Sequence, residues 1–180
     1  MRASISVQMP PEMGQPSAVA LFGRPFMVRL GNDVVALIRL RTGRGMGADG
    51  QPFKGYSTTP IYIVKNGPTG QRLSPKGGRL SRTGRSVYYE GGYRQFKEQS
   101  RRGVGGAEVD LTLSGEMLRS VAVRSASDTS VTVGTGDRVL HAAKVDAARP
   151  FVGIAPDEVS VLEGIVGEQV ESRLRALFGG

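Results

Sequence analysis

The sequence contains no cysteine and a single histidine, His141. The absence of cysteine excludes disulfide bonds, thiolate metal sites and cysteine nucleophiles. One histidine excludes a metal site built from several imidazoles, and a Ser-His-Asp triad would have to be assembled around His141. Because no G-x-S-x-G motif supplies the serine, we interpret His141 as a structural or hydrogen-bonding residue.

Patterns for nucleotide and metal-dependent chemistry are also missing. No G-x-x-x-x-G-K-[ST] motif is present to bind ATP or GTP. Residues 43–48 match G-x-G-x-x-A, but a helix is predicted before them and no acidic residue follows at the required distance. Glu108 and Asp110 share one face of a predicted strand and could form a carboxylate pair. The lysine and further carboxylates that nuclease chemistry needs are not nearby, and the two residues are equally well interpreted as solvent-facing charges. We therefore expect a protein that is not an enzyme and that uses no cofactor or metal.

Long apolar runs are absent too. No stretch approaches the roughly 20 apolar residues that a membrane helix needs. The first residues, 1–4, lead into mixed polar sequence without the apolar core of a signal peptide. We expect a soluble, unsecreted protein with no membrane partner.

Charge is abundant but unevenly distributed. The chain has 24 basic and 16 acidic residues, a net charge of +8. Residues 39–103 contain 14 basic and 3 acidic side chains, whereas residues 104–180 contain 7 and 11. A positive and a negative pole suit a polyanion on one side and a charged protein neighbour on the other. A merely solvated basic loop is the alternative interpretation.

The spacing of apolar residues predicts an α+β fold in one domain over residues 1–180. A helix is predicted from Pro25, whose fixed φ suits the first helical position, to the glycines that follow Arg41. The closing helix is predicted to begin at Pro156, with acidic residues in its first turn and arginines in its last. The N-terminal and the long C-terminal helix should pack a small antiparallel sheet.

The remaining elements are shorter. Alternating valines predict a β-hairpin over residues 121–133, and strands are predicted over 109–113 and 151–154. Short helices are predicted near residues 93–102, 114–118 and 139–145, and residues 60–65 fit either a helical turn or a strand. The expected organisation is an N-terminal arm over 1–24, a long basic glycine-rich loop over 66–92 and an α+β part over 107–180.

Three segments of the chain carry motifs in a fixed order. The first is Asp49-Gly50-Gln51-Pro52-Phe53, followed by Ser57, Tyr62 and Lys65; the second is L-T-L-S-G-E-M-L-R-S over residues 111–120. The third is A-R-P-F-V-G-I over residues 148–154, followed by two acidic residues and the closing helix. Together they resemble the virion morphogenesis and tail completion family of tailed phages. The residues that carry the resemblance are Asp49, Gly50, Phe53, Ser114, Gly115, Arg149, Pro150, Phe151 and Gly153.

The resemblance implies a structural protein of the phage neck or tail end that completes the tail or joins it to the head. It implies a homo-oligomeric ring, a hexamer, located in the virion and assembled in the host cytoplasm. Its implied partners are the neck adaptor, the tail terminator, the tail tube and duplex DNA in the lumen. Candidates for contact with DNA or an acidic neighbouring ring are Arg72, Lys76, Arg79, Arg82 and Arg85. The alternative is a nucleic-acid-binding protein without sequence specificity.

Overall fold

The computed structural model describes residues 4–8, 22–64, 77–100, 109, 111, 116–136 and 142–178. The chain forms two compact units, a finer division than the single domain predicted from its length. We call Met1–Phe53 with Asp110–Gly180 the helix–sheet unit and Lys54–Val109 the basic unit. None of the helices in these described ranges is both long and apolar enough to cross a membrane.

The sheet of the helix–sheet unit has three antiparallel strands in the order β1–β6–β5: β1 (Ser4–Gln8), β5 (Ala122–Ala126) and β6 (Ser130–Gly134). Strands β5 and β6 are the hairpin predicted from the alternating valines, with Val131 and Val133 fully buried. Strand β1 lies within residues 1–24, which we predicted to be an arm. It pairs along its whole length with β6, because Ile5 and Val7 alternate as strand residues and pack against the core.

Helix α1 (Gly23–Gly43) covers this sheet. Its apolar residues recur at helical spacing, and one face is buried in the core. A Cβ added at Gly31 would lie 2.6 Å from Val131 Cγ2 and 2.8 Å from Val123 Cγ2. The helix therefore approaches the sheet more closely than any residue with a side chain would allow at this position.

The rest of the helix–sheet unit consists of α3 (Glu116–Arg119), α4 (Ala142–Ala148) and the long helix α5 (Pro156–Phe178). Helix α5 packs on α1 and buries Leu162, as the amphipathic pattern predicts. The predicted strand over residues 151–154 is wrong, because no strand forms there. Its backbone groups bind side chains instead of a neighbouring strand.

The basic unit contains a second antiparallel sheet in the order β2–β4–β3, with β2 (Ile61–Val64), β3 (Arg79–Leu80) and β4 (Ser86–Tyr89). Helix α2 (Gly92–Ser100) follows β4, and Val87, Tyr89 and Phe96 form the buried core. Strands β3 and β4 lie inside the range 66–92 that we predicted to be an extended loop. They form because alternate residues of β4 are buried, which gives this glycine-rich stretch a core to pack on.

The α+β prediction is confirmed: a small antiparallel sheet is covered by an N-terminal helix, and a long C-terminal helix packs on that helix. The predicted strand over 109–113 is described only at Val109 and Leu111, and neither lies in a strand. Leu111 has φ of 50°, outside the β region.

Candidate functional site

The structure describes most of the predicted site residues, and they fall in two separate places. Arg79, Arg82 and Arg85 belong to the basic unit, while Arg72 and Lys76 lie outside the described residues. Of the residues that carry the resemblance, Ser114 and Gly115 lie outside the described residues, and the other seven belong to the helix–sheet unit.

The turn between β3 and β4 holds two of the predicted arginines at its tip. The amide of Ser81 donates to the carbonyl oxygen of Ser86 at 2.9 Å, and the amide of Gly84 donates to the carbonyl of Ser81 at 2.8 Å. Gly84 has φ of +66°, a conformation that residues with a side chain rarely adopt. Arg82 and Arg85 are exposed on this hydrogen-bonded turn.

The sheet of the basic unit presents aromatic rings beside arginine. Tyr62 of β2 lies directly opposite Tyr88 of β4, and Tyr88 lies opposite Arg79 of β3, so all three side chains share one face. The two rings are 4.9 Å apart, and Tyr62 is 67% exposed. We call Tyr62, Tyr88 and Arg79, with the tip residues Arg82 and Arg85, the tyrosine–arginine surface.

The net charge of the protein lies in the basic unit. This unit contains 11 basic and 3 acidic residues, a net of +8, whereas the helix–sheet unit contains 13 of each. Arg94 pairs with Glu98 at 2.9 Å, and Lys97 is buried with its Nζ 5.4 Å from the ring centre of Tyr56. The side chains of the three described candidate arginines bind no carboxylate in the described part of the chain. The tyrosine–arginine surface is therefore positive.

The motif residues of the helix–sheet unit meet around a buried ion pair. Arg41, near the end of α1, pairs with Glu158, in the first turn of α5. Arg41 also donates to the carbonyl oxygens of Phe151 at 2.9 Å and Gly153 at 3.0 Å. Glu158 accepts from the amide of Ala155 at 2.8 Å, as an acidic residue at the third helical position does in a capping box.

The segment between α4 and α5 is held on both sides. The carboxylate of Asp146 accepts the amides of Phe151 and Val152, both at 2.9 Å, while Arg41 binds the carbonyls. The Phe151 side chain is fully buried in the core. Side chains thus satisfy the backbone groups that a β-strand would have satisfied.

The residue that precedes the first motif, Ala48, contacts the third motif directly. The amide of Ala48 donates to the carbonyl oxygen of Pro150 at 2.8 Å, and a Cβ added at Gly153 would lie 2.7 Å from the Cβ of Ala48. The turn that contains Asp49 and Gly50 is closed by the amide of Gln51, which donates to the Asp49 carboxylate at 3.0 Å. We call this arrangement of Arg41, Glu158 and residues 48–53 and 149–153 the Arg41–Glu158 joint.

A cleft of about 450 Å³ lies beside the joint, between α1 and the beginning of α5. Its apolar wall comes mainly from Leu37, Leu40, Met46 and Val161. Arg44, Asp49 and Asp157 add charge, and the buried pair of Arg41 and Glu158 also lines the cleft. The complete lining is Leu37, Leu40, Arg41, Arg44, Met46, Asp49, Gly50, Gln51, Pro156, Asp157, Glu158 and Val161.

In the ranges that the structure describes, no cluster of three or more histidine, cysteine, aspartate or glutamate side chains could hold a metal ion. His141, Glu108 and Asp110, weighed above as catalytic candidates, lie outside the described residues. The chemistry that the described residues do offer is ion pairing, hydrogen bonding to backbone and ring stacking.

Sequence reasoning missed the partners at the centre of the joint. Arg41 and Glu158 were each predicted only to complement the dipole of their own helix end, and the structure shows that they are also buried against each other. Asp146 was not singled out at all. The capping-box position of Glu158 was the one available signal, and it indicates a role at the helix start rather than a distant partner.

No family model matches the chain, and comparisons with curated proteins and with solved structures found no match.

Proposed function

We propose that this chain is a structural protein of the neck or tail end of a tailed phage. It forms a ring, a hexamer, that completes the tail and joins it to the head around the path of the DNA. It performs no bond-making chemistry of its own. Its other partners are further neck and tail proteins such as the adaptor, the tail terminator and the tail tube.

The observation that carries this proposal is the Arg41–Glu158 joint. Ala48, which directly precedes the motif segment Asp49–Phe53, contacts Pro150 and Gly153 of the motif segment Ala148–Ile154, about 100 positions away in the sequence. Short motifs matched by chance have no reason to be neighbours in the fold. The proximity of the two segments supports the interpretation that they belong to one structural feature.

The chemistry of the joint is that of a structural element. Its polar groups bind backbone carbonyls, backbone amides and each other, and both charged side chains are buried. A buried pair that also binds the backbone of neighbouring segments holds those segments in register. This supports a role in assembly over a role in catalysis.

The basic unit supplies the contact with DNA in this proposal. Its excess of eight positive charges and its exposed arginines can neutralise phosphates without reading bases, which is what a ring around a passing duplex requires. The helix–sheet unit has equal numbers of basic and acidic residues and is free to provide the protein–protein contacts of the ring.

Electron microscopy of the purified chain, over a range of concentrations and with and without duplex DNA, tests the proposal. We expect closed rings of uniform size with a central channel wide enough for a duplex. A chain that stays monomeric under all of these conditions, or that forms only open filaments, would contradict it.

A second candidate function is nucleic-acid binding without sequence specificity, and the tyrosine–arginine surface favours it. Exposed rings on a sheet face can stack on unpaired bases, and neighbouring arginines can bind the phosphates between them. Whether the protein prefers duplex or single-stranded DNA distinguishes the two functions. A ring around packaged DNA should bind duplex at least as well as single strands, whereas stacking on the tyrosines favours single strands.

A further inference from the structure

The last turns of α5 extend beyond the part of the helix that packs on the core. The apolar stripe that begins at Leu162 continues through Val170 to Leu174 and Leu177 at helical spacing. Exposure rises along it: Leu162 is 8% exposed, Leu174 42%, Leu177 61% and the adjacent Phe178 81%. We call residues 171–178, all of which are exposed, the helix end. It presents an apolar face without a partner in the described part of the chain.

The same unit contains a cleft of suitable chemistry for that face. The cleft between α1 and the start of α5 has an apolar wall in which Leu40 is 54% and Val161 49% exposed. Its volume of about 450 Å³ is within the range of pockets that enclose whole ligands. A helical turn carrying a leucine and a phenylalanine therefore matches the cleft in size and in chemical character.

The helix end cannot fill the cleft of its own chain. Val161, in the cleft wall, and Phe178, in the helix end, lie on one continuous helix 17 positions apart. At 1.5 Å per residue their positions are separated by about 25 Å along the helix axis. A contact between them has to join two copies of the chain.

Charge favours that contact as well. The helix end carries Arg173 and Arg175 against one acidic residue, Glu171, which pairs with Arg175 at 3.2 Å. The cleft carries Asp49 and Asp157 against Arg44, apart from its buried pair. The cleft also includes the first turn of α5, so the negative dipole end of one helix would meet the positive dipole end of the next.

We infer that the helix end of one copy, through Leu174, Leu177 and Phe178, docks in the cleft formed by α1 and α5 of a second copy. The contact is heterologous, because a different surface of each copy is used, and it therefore repeats around a ring or along a filament. This contact would join the subunits of the proposed ring. It depends on the proposed function only in that the repeated contact closes into a ring.

Complementary variants of the two surfaces test the inference. The helix-end variant carries Leu177→Asp and Phe178→Asp, and the cleft variant carries Leu40→Asp and Val161→Asp; all four positions are exposed, so folding should be retained. Ser172→Asp with Ala176→Asp is the matched control, since it adds the same charge to the same turns on the opposite face of the helix. Circular dichroism checks the fold, and mass photometry with light scattering measures the oligomer.

We expect wild type and the control to form the same oligomer, and each of the two variants to be monomeric. An equimolar mixture of the variants should form dimers and nothing larger, because one intact helix end and one intact cleft remain. Loss of the oligomer in the helix-end variant alone would indicate a contact between helix ends and overturn the inference. Unchanged mass in both variants, a mixture that stays monomeric, or a monomeric wild type would also overturn it.

The two proposals can fail separately. Rings that persist in both variants would contradict the helix-end contact and leave the proposed ring function intact. Variants that behave as expected, in a protein that assembles only into open filaments, would confirm the contact and contradict the ring.

Discussion

Arg41 and Glu158 form a buried ion pair, 117 positions apart in the sequence, that joins the end of α1 to the first turn of α5. Replacement of Glu158 by glutamine keeps an oxygen for the amide of Ala155 and leaves the Arg41 guanidinium buried without a counterion. Breaking one partner of a buried pair costs about 3–5 kcal/mol. We expect Glu158→Gln to lower the free energy of unfolding by that amount in urea titrations.

The control for this prediction is Glu171→Gln. Glu171 pairs with Arg175 at 3.2 Å on the surface of α5, where the two side chains are 70% and 82% exposed. Exposed pairs of this kind contribute about 0–1 kcal/mol. If the two glutamine variants lost equal stability, the ion pair at the joint would have no special structural role.

The sequence was sufficient to predict the elements whose local signals agree with one another. Helix α5 has proline at its start, acidic residues in its first turn, arginines in its last and one apolar stripe, and its predicted start at Pro156 is confirmed. The hairpin of β5 and β6 is confirmed for the same reason. Strand β1 was missed because five residues with two apolar side chains carry little signal without knowledge of the strand they pair with.

The joint was beyond sequence reasoning because its bonds connect distant positions. Residues 151–154 contain the apolar residues of a strand, and only the structure shows that Asp146 and Arg41 satisfy their backbone. Likewise, Arg79 and Tyr88 become neighbours only through the register of β3 and β4. Short-range patterns do not determine such pairings.

The close contact between Ala48 and Gly153 predicts a specific rescue. Gly153→Ala should lower stability by about 1–3 kcal/mol, because the new Cβ would lie 2.7 Å from the Cβ of Ala48. Ala48→Gly removes the opposing atom, so the double variant should recover much of the loss. Denaturant titration of the two single variants and the double variant gives the coupling energy. Strict additivity of the three values would mean that these positions do not touch.

The packing of α1 on the sheet predicts opposite effects at two helical glycines. Alanine favours a helix interior over glycine by up to about 1 kcal/mol, so Gly164→Ala in α5, where no atom lies within 4 Å of an added Cβ, should raise the melting temperature. Gly31→Ala has the same helical advantage but meets Val131 and Val123 at 2.6 and 2.8 Å. It should lower the melting temperature, since branched side chains in a packed core cannot move aside easily. A stabilised Gly31→Ala variant would show that α1 does not approach the sheet this closely.

The tyrosine–arginine surface predicts that two kinds of substitution weaken nucleic-acid binding in different ways. Tyr62→Ala should weaken binding of a single-stranded oligonucleotide by about 1–3 kcal/mol, and Tyr62→Phe should not, because the ring and not the hydroxyl stacks on the base.

Arg79→Ala should reduce the slope of log affinity on log salt by about 0.7, the change for one phosphate contact on a single strand. Lys144→Ala, an exposed charge in the helix–sheet unit, is the control and should leave the intercept and the slope nearly unchanged. Fluorescence anisotropy at several salt concentrations measures all four variants. Equal losses of affinity in Tyr62→Ala and Tyr62→Phe would exclude stacking on the ring. If Lys144→Ala changed the salt slope as much as Arg79→Ala does, the charge of the whole protein, and not this surface, would attract the nucleic acid.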